Sequence, residues 1–383
     1  MNVAFTLLNC INLCLFDRSV LPEDAQTDCR AVFALAKKHG VVGIVWQGLQ
    51  RSGLPVDDAL REAFQTEADK HTFLYLRQQH ELERLRAMLE EQNRAFVVLK
   101  GGRMRDFYPS PELRTSCDID LLVEQTDDTL RTAMEGLGYR FESDGPVTMD
   151  FRLPPSVSVE LHRRLFDDAL ETPYFAEVWE RTVPTAADKT ERRLTETDFY
   201  VYMIAHLAKH VFRYGCGIRQ FLDVYLYERR HPTEFDRASA ERLLQSLGLL
   251  DFERAVLRLI KAWFETGDCT KPILDMTQFV VSSGLYGSGR VENLRRASRS
   301  GGLTLFRIST FLQGVFLPPD KMRYFYPRML RCPALLPVAW AARIWVLVTK
   351  RRKQALRNYK ESVGFDQENV DAFVDTMQEF HLQ

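Results

Sequence analysis

The 383-residue chain carries 51 Lys and Arg against 52 Asp and Glu, a formal net charge of −1, with 45% hydrophobic and 27% charged residues. That balance excludes a uniformly basic nucleic-acid binder and a disordered chain, and the length predicts two or three folded units. Its seven cysteines, an odd number with no C-x-x-C pair and no Cys/His cluster at zinc spacing, exclude a disulfide scaffold and predict a cytoplasmic location.

Residues 1–16 are apolar, with no basic residue ahead of the run and no small-residue cleavage site, so they predict a core helix rather than a signal peptide. Helices are predicted over 23–39, with Glu23 and Asp24 as acids of the first turn, and over 56–93. The pattern then changes: 95–99 is a short strand ending in Lys100-Gly101-Gly102, a short helical segment reaches Tyr108, and Pro109 and Pro111 mark a loop. A second strand opens at Asp118 and runs to Val123, an amphipathic segment covers 126–137, and further strands fall at 139–141, 147–153 and 157–161. After Phe166 no strand is predicted, and 196–212, 217–229, 238–247 and 252–264 have the helical period.

Residues 284–302, rich in Gly, Ser and Arg, lack the G-x-x-x-x-G-K-[ST] pattern and read as a mobile basic linker. The apolar run 334–348 is broken by Pro337 and Arg343 and is shorter than the ~20 residues of a spanning helix. An acidic helix around 366–380 closes the chain. This order predicts an α+β protein with a small mixed β-sheet. Its expected divisions are a helical lead-in (1–93), an α/β core (94–170), a helical domain (171–283) and a basic, aromatic-rich helical region (284–383).

Side chains alternate along a strand, so Asp118 and Asp120 share one face, about 7 Å apart, while Ile119, Leu121 and Val123 face a core. Carboxylates so spaced suit hard cations such as Mg²⁺. In Val157-Ser158-Val159-Glu160-Leu161-His162 the same alternation sets Ser158, Glu160 and His162 opposite the apolar residues. Glu160 is therefore a candidate third metal ligand if its strand pairs beside that of Asp118. Gly101 and Gly102, without Cβ atoms at a helix start, leave backbone N–H groups to cradle a phosphate.

Lys100 and Arg114 are candidate phosphate-binding cations, with an Arg114 pair to Asp118 or Glu112 as the alternative. His206 and His210, four residues apart, read as packing or nucleotide-lining residues rather than zinc ligands, and His162 as a strand residue near the pocket. Asp223 reads as the partner of Arg219.

The series Leu99-Lys100-Gly101-Gly102, Tyr108-Pro109, Arg114, Asp118-Ile119-Asp120-Leu121-Leu122-Val123 and Glu160-Leu161-His162 resembles the uncharacterised nucleotidyltransferase family of the DNA polymerase β-like nucleotidyltransferase superfamily. Fifteen residues separate Gly102 from Asp118, more than is common in that superfamily. The resemblance implies that Asp118, Asp120 and Glu160 hold two Mg²⁺ ions, with Mn²⁺ as a substitute, about 4 Å apart. One ion would activate an acceptor hydroxyl and the other would bind the triphosphate, with Glu160 as an alternative general base. It also implies an NTP substrate, ATP by default, whose NMP passes to an unidentified acceptor hydroxyl or phosphate with release of pyrophosphate. Lys100, Gly101, Gly102 and Arg114 would contact its phosphates.

The near-neutral total conceals an asymmetry. Residues 284–360 hold 16 Lys and Arg against two acids, Glu292 and Asp320, a net +14, which leaves −15 elsewhere. Interspersed Trp and Phe and the run Lys350-Arg351-Arg352-Lys353 make this segment a candidate for the inner face of an anionic membrane or for an acidic acceptor, with docking on the acidic remainder as the plain alternative. Sequence-specific nucleic-acid binding is not expected. Two other classes of function remain open: a non-catalytic nucleotide-binding regulator of the same fold, and a membrane-surface-docked assembly protein acting through the basic third.

Overall fold

The computed structural model describes residues 1–23, 26–167, 172–186, 190–230, 233–285, 287–319, 321–322, 333–349 and 352–382. The chain divides into two units, Met1–His210 with Cys216–Leu285, and Val211–Gly215 with Tyr286–Gln383.

In the first unit, α1 (Asn2–Phe16) is buried along most of its length, as its apolar sequence requires. Helix α2 (Cys29–His39) starts six residues later than the sequence pattern suggested, because Asp28 supplies the cap, its carboxylate accepting the Arg30 N–H at 2.9 Å. Asp24, the expected first-turn acid, lies outside the described residues. Gly40, at φ 65°, closes α2 and turns the chain into α3 (Val42–Ser52). Gly48 of α3 sits against α1, where a Cβ would lie 1.7 Å from the Cys10 carbonyl oxygen. Asp57 caps α4 (Asp58–Glu91), a 34-residue helix whose Leu82, Leu85 and Leu89 enter the sheet core.

The sheet is built from β1 (Phe96–Val98), β2 (Asp118–Val123), β3 (Arg140–Asp144), β4 (Thr148–Leu153) and β5 (Val157–His162), joined by α5 (Lys100–Arg103) after β1 and α6 (Asp128–Gly136) after β2. Strands do continue beyond Phe166: after the short α7 (Pro173–Ala176) come β6 (Thr182–Pro184) and β7 (Glu191–Leu194), and β7 pairs parallel with β1. The mixed seven-stranded order is β3-β4-β5-β2-β1-β7-β6, so the fold is α+β. The central strands β2 and β5 are parallel neighbours. Ile119, Leu121, Val123, Val157, Val159 and Leu161 line one face of the sheet, in a core shared with α4 and α6.

The unit is completed by α8 (Glu196–Arg213), α9 (Ile218–Arg230), α10 (Arg237–Ser246), α11 (Leu250–Lys261) and α12 (Lys271–Ser283). Tyr200 of α8 donates to Glu253 of α11, which also pairs with Arg237 of α10 at 2.7 Å. That buried polar knot ties three of these helices together.

In the second unit the segment read as a linker contains α13 (Gly289–Ser298), because the Ser288 hydroxyl accepts the Val291 N–H and caps it. The unit continues with α14 (Leu303–Val315) and the helices Leu336–Thr349, Arg352–Val363 and Gln367–Glu379. Arg299 lies over the Phe212 ring at 4.8 Å, and Arg307 donates to the Phe365 carbonyl at 2.8 Å. The acidic helix lies where the sequence suggested, and Asp366 caps it. Tyr324, Phe325, Tyr326, Lys350 and Arg351, which contributed to the basic and aromatic character of this region, lie outside the described residues. Among the described residues no helix is long and apolar enough to cross a membrane.

Candidate metal and nucleotide site

The parallel register of β2 and β5 sets Asp118 opposite Ser158 and Asp120 opposite Glu160. The alternation that sends Ile119, Leu121, Val159 and Leu161 into the core thus gathers carboxylates on the other face of the sheet. Asp120 is 4% exposed, whereas the Glu160 side chain is 40% exposed. The cluster therefore grades from an enclosed carboxylate to an accessible one.

His162 completes it. Its Nε2 lies 3.5 Å from Asp120 Oδ1 and 3.6 Å from Glu160 Oε2, and donor atoms of Asp120, Glu160 and His162 all fall within 4.8 Å of one another. Asp118 stands outside that group, with its Oδ1 accepting from the Ser116 hydroxyl at 3.3 Å. The model of a family described as uncharacterised nucleotidyltransferase matches residues 25–265, a span that holds every one of these side chains. The chain belongs to this nucleotidyltransferase family. No curated protein matches it.

Charge in the candidate site is finely divided. Lys100 donates from Nζ to Asp120 Oδ2 at 3.1 Å. Burial alone would lower the Lys100 pKa, but Asp120 outweighs it and holds the ammonium charged. Burial likewise works against ionisation of Asp120, and Lys100 with His162 overcomes it, holding that carboxyl well below the usual range. Asp118 moves the other way: the negative charge of Asp120, then burial, raises its pKa. His162 is raised despite burial, through its two carboxylate neighbours. The site thus has one carboxylate fixed in its ionised form and a second whose ionisation would be completed by added positive charge.

The two glycines serve different ends. A Cβ on Gly101 would meet Ser116 Oγ at 3.2 Å and Asp120 Oδ2 at 3.7 Å, so the chain passes directly over the carboxylate there. Gly102 faces β1, where a Cβ would come within 2.5 Å of Val98 Cγ1, and its N–H donates to the Leu99 carbonyl at 3.2 Å. Of the pair, Gly101 is the one that borders the site.

Arg114 is buried, with 2% exposure, and is committed to structure. Its Nη2 pairs with Asp223 Oδ2 at 2.9 Å, and its Nη1 donates to the Gly101 carbonyl at 3.3 Å. Tyr108 donates to the other Asp223 oxygen at 2.7 Å. The expected partners Asp118 and Glu112 are therefore replaced by Asp223 of α9, and Arg219, the partner expected for Asp223, donates to Thr115 instead. Two 3-10 turns, Met104–Phe107 and Pro111–Leu113, lie in the long gap between Gly102 and Asp118 and carry Arg114 beneath the glycine loop.

Helix α8 brings Tyr202 and His206 near Lys100. Burial pushes the Tyr202 hydroxyl up to about 12 and, with Lys100, pushes the His206 pKa well down, so the imidazole is neutral. His206 and His210 meet through their Nε2 atoms at 3.2 Å. A separate cleft of about 740 Å³ on the core side of β1 is lined by Arg86, Arg103 and Arg193, each already paired with a glutamate: Glu191, Glu196 and Glu234. The sequence reading left His162 out of the catalytic set, although the alternation that singles out Glu160 places His162 on the same face.

Proposed function

We propose that the chain transfers a nucleoside monophosphate from an NTP to an acceptor hydroxyl or phosphate, with a divalent cation held by Asp118, Asp120 and Glu160. The observation that carries this reading is the register that pairs Asp120 with Glu160 across β2 and β5, in a chain belonging to a nucleotidyltransferase family. The donors fit a metal: among the described residues Nδ1 of buried His162 has no hydrogen-bond partner, its Nε2 faces the Asp120 and Glu160 carboxylates, and Asp118 and Asp120 repel each other. Bound Mg²⁺ or Mn²⁺ would supply charge neutralisation of the triphosphate and acidification of the acceptor hydroxyl.

The remaining work falls to the chain. Glu160, the accessible carboxylate, takes the acceptor proton as the acceptor oxygen bonds to the α-phosphorus. The bond from that phosphorus to the β-bridging oxygen breaks, and pyrophosphate leaves. Lys100, already charged beside Asp120, meets the negative charge of the phosphates. Gly101 keeps the approach to Asp120 clear of a side chain, and Arg114 holds the Gly101 carbonyl from below. Such transfers depend on positioning and charge more than on covalent chemistry.

The test is an acceptor screen: each of the four NTPs, labelled at the α-phosphate, is incubated with protein, cell extract and Mg²⁺ or Mn²⁺. Label should move to an acceptor with stoichiometric pyrophosphate. Saturable nucleotide binding without labelled product from any NTP would contradict transfer and favour a binding regulator.

A further inference from the structure

The second unit carries a surface that nucleotidyl transfer does not use. On α14, Leu305, Ile308 and Leu312 recur at i, i+3 and i+7 with Phe311 beside them, and exposure reaches 58% at Leu305 and 55% at Phe311. On the helix Leu336–Thr349, Val338, Trp345 and Val348 fall at i, i+7 and i+10, with Trp345 69% exposed. Apolar residues scattered singly are ordinary, whereas stripes at helical spacing on two helices of one unit mark an interaction face.

Charge identifies the occupant. Neither helix contains an acid, and Arg307, Arg343, Arg352, Lys353 and Arg357 lie on them or on the helix that follows, within the +14 segment 284–360. The acidic helix Gln367–Glu379 packs on α13 through its buried Val370, Phe373 and Met377. A second copy of the chain would set +14 against +14, which repulsion disfavours. With 13 and 14 residues, the two helices are too short to cross a bilayer and suited to lying in its interface, with Trp at the headgroup boundary and Arg and Lys toward lipid phosphates.

We infer that α14 and the helix Leu336–Thr349 form a docking face for an anionic lipid surface. The inference is independent of the transfer reaction.

The experiment floats the full chain with phosphatidylcholine vesicles, with and without phosphatidylglycerol. Association is expected with the anionic vesicles alone, weakening as salt rises. Tryptophan emission should shift to the blue on binding, and Trp345→Phe should bind while showing a smaller shift, since Trp345 is 69% exposed whereas Trp46 and Trp263 are buried and Trp340 is half-buried with its Nε1 donating to the Leu317 carbonyl. Ile308→Glu and Trp345→Glu, at exposed positions that leave the circular dichroism unchanged, should each weaken association roughly tenfold. Failure of the wild-type chain to float with anionic vesicles at low salt would overturn the inference, as would association indifferent to both Glu variants. A concentration-dependent dimer abolished by Trp345→Glu would assign the face to a second copy. Equal binding of soluble polyglutamate, unaffected by either Glu variant, would assign the charge to an acidic macromolecule; both results contradict lipid docking.

Discussion

Replacing Asp223 with alanine strands the Arg114 guanidinium in a site where it is 2% exposed. The change removes the 2.9 Å ion pair and leaves the Tyr108 hydroxyl, which donates to Asp223 at 2.7 Å, without its acceptor. Breaking a buried pair by removing one partner costs about 3–5 kcal/mol, because the surviving charge is desolvated and uncompensated. Set against a typical total stability of about 5–15 kcal/mol, this is a large fraction. Arg114→Met in the same background removes the stranded charge and should recover much of the loss. Urea unfolding of the two single variants and the double variant, followed by tryptophan fluorescence, measures the cycle. Trp263 is a suitable reporter, its ring centroid 5.4 Å from that of Phe221 on α9, the helix that carries Asp223. A single-variant cost below about 1 kcal/mol, or a double variant no more stable than Asp223→Ala, would refute the reasoning.

Two further predictions concern stability. Gly48→Ala should destabilise the protein by about 3 kcal/mol or more, since its Cβ would fall 1.7 Å from the Cys10 carbonyl oxygen and α1 would have to part from α3; thermal unfolding reads this, and a change in Tm within error would contradict it. Burial lowers the pKa of His39 from 6.5 to about 4, while the neutral ring accepts the Ile218 N–H at Nδ1 and contacts the Val281 carbonyl at Nε2. Between those pH values the unfolded chain binds a proton that the folded one resists, so stability falls with pH below about 6.5, by about 3 kcal/mol once pH 4 is reached. His39→Gln should flatten that limb in urea titrations, and parallel pH profiles for variant and wild type would contradict the assignment.

The site's carboxylates were legible because a strand's two-residue period imprints itself on Asp118-Ile119-Asp120-Leu121 and on Val159-Glu160-Leu161-His162. The strand β7 was not, because Glu191-Arg192-Arg193-Leu194 carries no apolar alternation and owes its conformation to pairing with β1. Arg114 and Asp223 lie 109 residues apart, and no local pattern could join them. Helix α13 was hidden by its composition: Gly, Ser and Arg dominate, and the buried Val291, Leu294 and Ala297 at three-residue spacing are the faint trace of its inner face.

The central claim is that Asp118, Asp120 and Glu160 support metal-dependent nucleotidyl transfer. Its most direct test is transfer from α-³²P-labelled NTP by wild type, Asp118→Asn and Asp120→Asn in the presence of Mn²⁺, with circular dichroism confirming that all three are folded. The account predicts labelled acceptor with wild type and none with either variant. Transfer at the wild-type rate by either folded variant would contradict it.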